Sequence, residues 1–79
     1  MVISKEKLEY LREIYTPGTR VRLEYMDDIQ APPIGTLGTV RGVDDIGSIM
    51  VQWDNGSSLS VVYGHDRCKI IREDNYENS

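Results

Sequence analysis

Hydrophobic spacing changes once along the chain, at Pro17-Gly18. Before it, Leu8, Leu11 and Ile14 or Tyr15 recur at helical spacing and make a narrow apolar stripe. This predicts a helix over residues 4–15. Ser4 suits the N-cap, because its hydroxyl can accept a bond from a first-turn N–H. Ile3 and Leu8 have the spacing of a hydrophobic staple. Pro17 disfavours helical geometry at Thr16 and stops the helix there. After Gly18 the period becomes two. In residues 19–26, Val21, Leu23 and Tyr25 share one phase, and Arg20, Arg22 and Glu24 the other. Further strands are predicted over 37–43, 48–53, 57–62 and 67–72. In the third of the five, Ile49, Val51 and Trp53 share a face, and in the fourth Leu59 and Val61 point inward.

The segments between strands carry turn chemistry. Asp27-Asp28 and Pro32-Pro33 predict a loop, Asp44–Gly47 a turn, and Asn55-Gly56 a two-residue hairpin turn with positive φ. Residues 63–66 predict a short turn of 3₁₀ type. Five short strands in this length manage their edges best as a closed barrel. The expected fold is mainly β: an SH3-like five-stranded small barrel over 19–72, preceded by one N-terminal α-helix. Residues 1–72 form one domain, and 73–79, which lack apolar support, are expected to be a flexible tail. In such a barrel the first and last strands pair, which brings Arg20 and Arg22 near Lys69 and near either Arg67 or Arg72.

Composition narrows the function. Seventy-nine residues leave room for one small core, and nine Lys and Arg against thirteen Asp and Glu give a net charge of −4. That is not a strongly basic nucleic-acid binder. No apolar run approaches the ~20 residues of a membrane span, and no secretory signal is visible. The single cysteine, Cys68, makes no internal disulfide, so a reducing cytoplasm is expected. One cysteine and one histidine cannot assemble an ordinary zinc site. No cofactor or metal is expected. Asp44, Asp45 and Asp54 offer oxygen ligands, but without EF-hand spacing they read as turn caps. His65-Asp66 has the form of a base with its orienting acid, but a chain this small has little volume for a water-excluding pocket.

The second half then becomes recognisable. Gly35-Thr36-Leu37-Gly38-Thr39-Val40, Val43-Asp44-Asp45-Ile46-Gly47 and Val51-Gln52-Trp53-Asp54-Asn55-Gly56-Ser57 resemble the domain of unknown function 4314 family. Tyr15-Thr16-Pro17-Gly18-Thr19-Arg20-Val21, Met26-Asp27-Asp28 and the proline loop fit it as well, so the resemblance covers roughly residues 5–71. It implies a small bacterial protein with an SH3-like fold and no assigned activity, of a kind often met in genomes rich in phage and mobile elements. Function does not follow from such a fold alone.

Two functions are expected from different features. The first is a non-enzymatic SH3-like module that binds a protein or peptide on an aromatic surface formed by Tyr25, Trp53 and Tyr63. The alternative is a nucleic-acid-binding accessory protein of a mobile element or phage, with Arg20, Arg22, Arg67 and Lys69 as the contacts. A monomer is the default state.

Overall fold

A computed structural model describes residues 3–72 of the chain. The expected tail over 73–79 lies outside the described residues. The helix α1 spans Lys5–Ile14. The Ser4 hydroxyl accepts the Lys7 N–H at 3.1 Å, and the Tyr15 N–H closes the last turn on the Leu11 carbonyl at 2.8 Å. Ten residues are too few for a stable isolated helix, so docking holds it. Leu11 is buried, while Ile3, Leu8 and Tyr15 pack against the core. Arg12 donates to the Val43 carbonyl at 3.2 Å and to the Asp45 carboxylate at 2.8 Å. No helix of the described residues is long and apolar enough to cross a membrane.

Five strands follow: β1 (Arg20–Tyr25), β2 (Leu37–Val43), β3 (Ser48–Trp53), β4 (Val61–Val62) and β5 (Arg67–Ile70). They form one antiparallel sheet in the order β4-β3-β2-β1-β5. The first and last strands pair as expected, with Arg22 opposite Lys69 and Val21 opposite Ile70. The sheet does not close. β4 and β5 are its two edges, and an isolated bridge between Tyr63 and Asp66 is the strand-like link between them among the described residues. β4 has two residues, too few to support a further ladder.

Three local expectations need correction. Residues 57–62 do not form a full strand, because only Val61 and Val62 pair with β3. The Asp54–Gly56 turn is a three-residue loop: the Gly56 N–H donates to the Trp53 carbonyl at 3.0 Å and the Trp53 N–H to the Ser57 carbonyl at 2.8 Å. Positive φ falls on Gly56 and not on Asn55, whose side chain instead accepts the Ser57 N–H at 3.0 Å. Tyr25 does not share the inward phase of Leu23. A bulge in β1 between Leu23 and Tyr25 shifts the register against β5. The extra residue reverses the alternation, so Met26 is buried and Tyr25 is exposed.

The core lies on the inner face of β1, β2 and β3. Val21, Leu23, Val40, Val51 and Trp53 are almost completely buried, and Leu11 covers them from α1. Trp53 is the largest fully buried side chain. It stands opposite Gly38 in the β2–β3 register. A Cβ at Gly38 would lie 2.6 Å from the indole, so this strand position is a glycine because the tryptophan needs the space.

Candidate functional site

One open groove of about 760 Å³ runs beside the β4–β5 edges. Tyr15 from the end of α1, Glu24 and Tyr25 from β1, Tyr63 and Asp66 from the β4–β5 turn, and Cys68 from β5 all line it. The elements that build it follow from the sequence. The β1 bulge turns Tyr25 outward, and the four-residue turn between β4 and β5 carries Tyr63 out beside it.

The turn is held by one carboxylate. Asp66 Oδ2 accepts the Val62 N–H at 2.9 Å, and Oδ1 accepts the Asp27 N–H at 3.0 Å. The His65 and Asp66 N–H groups both donate to the Val62 carbonyl, at 3.0 and 2.8 Å. The carboxylate that resembled an orienting acid for His65 is thus bonded to backbone on both oxygens.

Cys68 is half-buried on the groove floor. Burial pushes its thiol up to about 11, against a smaller opposing effect from its hydrogen bond with Tyr15. Tyr15 is raised for the same leading reason, burial, with Cys68 adding to it. At neutral pH both groups carry their protons, and the thiol is a poor nucleophile.

Of the expected aromatic surface, the structure brings together Tyr25 and Tyr63, each 45% exposed. It does not bring Trp53, which is 1% exposed and faces the core. The correction has a physical cause. The Trp53 indole N–H finds its acceptor inside, the Leu59 carbonyl at 2.9 Å, so nothing holds the ring at the surface. Two residues outside the expected surface belong beside it. The Lys7 ammonium lies 5.4 Å from the Tyr10 ring centroid and 5.5 Å from that of Tyr63. Lys7 and Tyr10 are three apart on α1, a legible helix-surface pair, but Tyr63 joins them only through the fold. Arg67 stacks over Tyr25 at 5.9 Å.

The expected basic contacts share the outer side of β1 and β5. Arg22 faces Lys69 across the ladder, and Arg67 pairs in register with Tyr25. Arg20 makes a two-pronged ion pair with Asp54, at 3.0 and 2.7 Å, and bonds the Thr39 hydroxyl at 2.8 Å. That hydrogen bond from Arg20 holds the Asp54 carboxyl below its ordinary range. Arg22 reaches Glu24 at 3.4 Å.

The three candidate oxygen ligands are not together. Asp44 and Asp45 lie before β3 and Asp54 after it, at opposite ends of a six-residue strand. The Asp44 carboxylate accepts the Ile46 and Ser48 N–H groups at 3.1 and 2.8 Å, so it caps its own turn. Among the described residues no cluster of three or more His, Cys, Asp or Glu is placed to hold a metal ion.

Compared with known proteins, residues 4–71 match a family model described as Domain of unknown function (DUF4314). No curated protein and no solved structure matches the chain.

Proposed function

Because the chain belongs to the DUF4314 family, a domain of unknown function, we propose a role from its own geometry: a non-enzymatic SH3-like module that binds an extended segment of a protein partner. The SH3-like reading is supported by the strand order, in which the first and last strands pair and a short turn joins the two edges. The single observation that carries the binding role is the placement of Tyr25 and Tyr63, both exposed, on one groove. Rings of this kind offer large contact area at low conformational cost, and grooves lined by them take extended peptides. The groove's titratable groups support binding over catalysis, since Asp66 is bonded to backbone and the Cys68 thiol stays protonated. The lone free thiol suits a reducing cytoplasm.

The test is a peptide-display selection on the full chain, followed by anisotropy titrations of the selected peptides. Tyr25→Ala and Tyr63→Ala should each weaken binding about tenfold or more, as central aromatic contacts do. Peptides whose affinity survives both changes would refute the groove.

A second reading rests on the β1–β5 register. Arg22, Lys69 and Arg67 stand close on one side of the sheet, a local basic patch on an acidic chain. This favours a nucleic-acid accessory role of the kind found in mobile elements. Amide NMR with mixed-sequence oligonucleotides at low salt tests it. Shifts confined to β1 and β5, reversed by salt and lost in Lys69→Glu, would support it, and an unmoved spectrum would remove it.

A further inference from the structure

Of the two edges of the sheet, β5 is open and β4 is closed. The Ile71 N–H donates to the Arg20 carbonyl at 2.9 Å. Antiparallel bonding alternates along a strand, so the Lys69 backbone faces Arg22, its partner in the ladder. The N–H and C=O groups of Cys68 and Ile70 therefore point away from β1, and among the described residues they have no hydrogen-bond partner. The edge of β4 is taken by its own turn. The Val62 N–H donates to Asp66 Oδ2 at 2.9 Å, and the Val62 carbonyl accepts from His65 and Asp66. Arg67, Cys68 and Lys69 of the open edge wall the groove. The two phases of β5 differ there. Cys68 and Ile70 are half-buried and pack against the core, while Arg67 and Lys69 are exposed on the outer face. Among the described residues neither Arg67 nor Lys69 is in an ion pair. The two carboxylates that line the groove are already engaged, Glu24 by Arg22 and Asp66 by backbone N–H groups.

We propose that the partner segment adds to the open edge of β5 as a further strand, and that this segment alternates apolar with acidic residues. The proposal rests on the extended-segment reading above and names its binding mode and the pattern bound. Strand addition gives the unpaired backbone groups of Cys68 and Ile70 their partners. Each phase of β5 then has its counterpart. Apolar side chains of the added strand cover Cys68 and Ile70. Acidic ones stand across from Arg67 and Lys69, where opposite charges stabilise a strand pair and like charges weaken it. The same charges disfavour a second copy as the occupant. Two β5 edges paired about Lys69, the register that uses Cys68 and Ile70 of both copies, would set Lys69 against Lys69.

The probe is a capped octapeptide alternating valine and glutamate, titrated into the full chain and followed by amide NMR and hydrogen exchange. At saturation the Cys68 and Ile70 amides should shift and exchange about tenfold more slowly or better, while Lys69, already bonded to β1, changes little. N-methylation of alternate peptide residues should abolish binding in one phase and spare it in the other, because only one edge of the added strand faces β5. Lys69→Glu should weaken binding of this peptide about threefold or more and strengthen that of a valine–lysine one. Unmoved Cys68 and Ile70 amides, equal losses from the two N-methyl phases, or indifference to Lys69→Glu would overturn the proposal. So would slow exchange of both amides in the free chain, since a second copy or another part of the chain would then hold the edge. Selected peptides that need Tyr25 and Tyr63 but leave Cys68 and Ile70 unprotected would overturn the added strand and leave the groove standing. Protection of the two amides that survives Tyr25→Ala and Tyr63→Ala would support the added strand and refute the tyrosine groove.

Discussion

The indole N–H of Trp53 donates to the carbonyl oxygen of Leu59 at 2.9 Å, across the loop that joins β3 to β4. That bond explains why β4 is short. To present its carbonyl to an inward-facing indole, the chain over 58–60 leaves the β3 ladder, and regular pairing resumes only at Val61. Trp53→Phe keeps an aromatic ring but removes the donor and some volume. It should lower stability by about 1–3 kcal/mol, from the stranded carbonyl and the lost packing. Urea unfolding followed by far-UV circular dichroism checks this, and an unchanged midpoint would refute it.

Gly38 tests the same packing from the opposite strand. An added methyl would meet Trp53 Cε3 and Val51 Cγ1 at 2.6 Å each, and the Gln52 carbonyl oxygen at 3.1 Å. Gly38→Ala should therefore cost about 1–3 kcal/mol through overpacking. Gly56→Ala meets nothing within 4 Å, and its cost should come only from φ of +97°. The two variants separate in their spectra: Trp53 fluorescence should shift in the first and stay unchanged in the second.

Asp66 joins the β4–β5 turn to the start of the β1–β2 loop through the N–H groups of Val62 and Asp27. Asp66→Ala should remove both bonds and cost about 1 kcal/mol, since water reaches the two exposed donors. Hydrogen exchange should accelerate at Val62 and Asp27 while amides of the β2–β3 ladder keep their protection. Uniform acceleration across the sheet would mean that the turn is no separate unit.

Alkaline pH should weaken the fold through Cys68. Its thiol is held up to about 11 by burial, above its ordinary value of 9.0, and Tyr15 is raised in the same direction. A raised acid binds its proton more tightly when folded. Stability is therefore full below about pH 9 and falls as the pH climbs toward about 11, where the unfolded thiol ionises first. Urea midpoints measured across that window should fall in the wild type and fall less steeply in Cys68→Ser. Native Cys68 should also react with iodoacetamide far more slowly than the unfolded chain at the same pH.

How much was legible varies by element. The helix was, because Ser4, the Leu8–Leu11 stripe and Pro17 are local signals that act within a turn or two of chain. β2 and β3 were, because their alternation agrees with their turns. The site was legible only in part. Tyr25 and Tyr63 can be singled out as aromatic, but alternation assigns Tyr25 to the core, since nothing local announces the β1 bulge. Trp53 can be recognised as an anchor, but its exposure depends on which carbonyl its indole meets six residues later.

By itself the sequence determined the order and kind of the elements, the single small core and the absence of a disulfide framework. These depend on period, caps and composition, which act over short stretches of chain. Tertiary structure alone decided that the sheet stays open between β4 and β5, that Tyr25 faces outward, and that Lys7 from α1 reaches Tyr63. Each of these depends on contacts between residues distant along the chain. A bulge, a buried indole and a docked helix are settled only when the whole core packs at once.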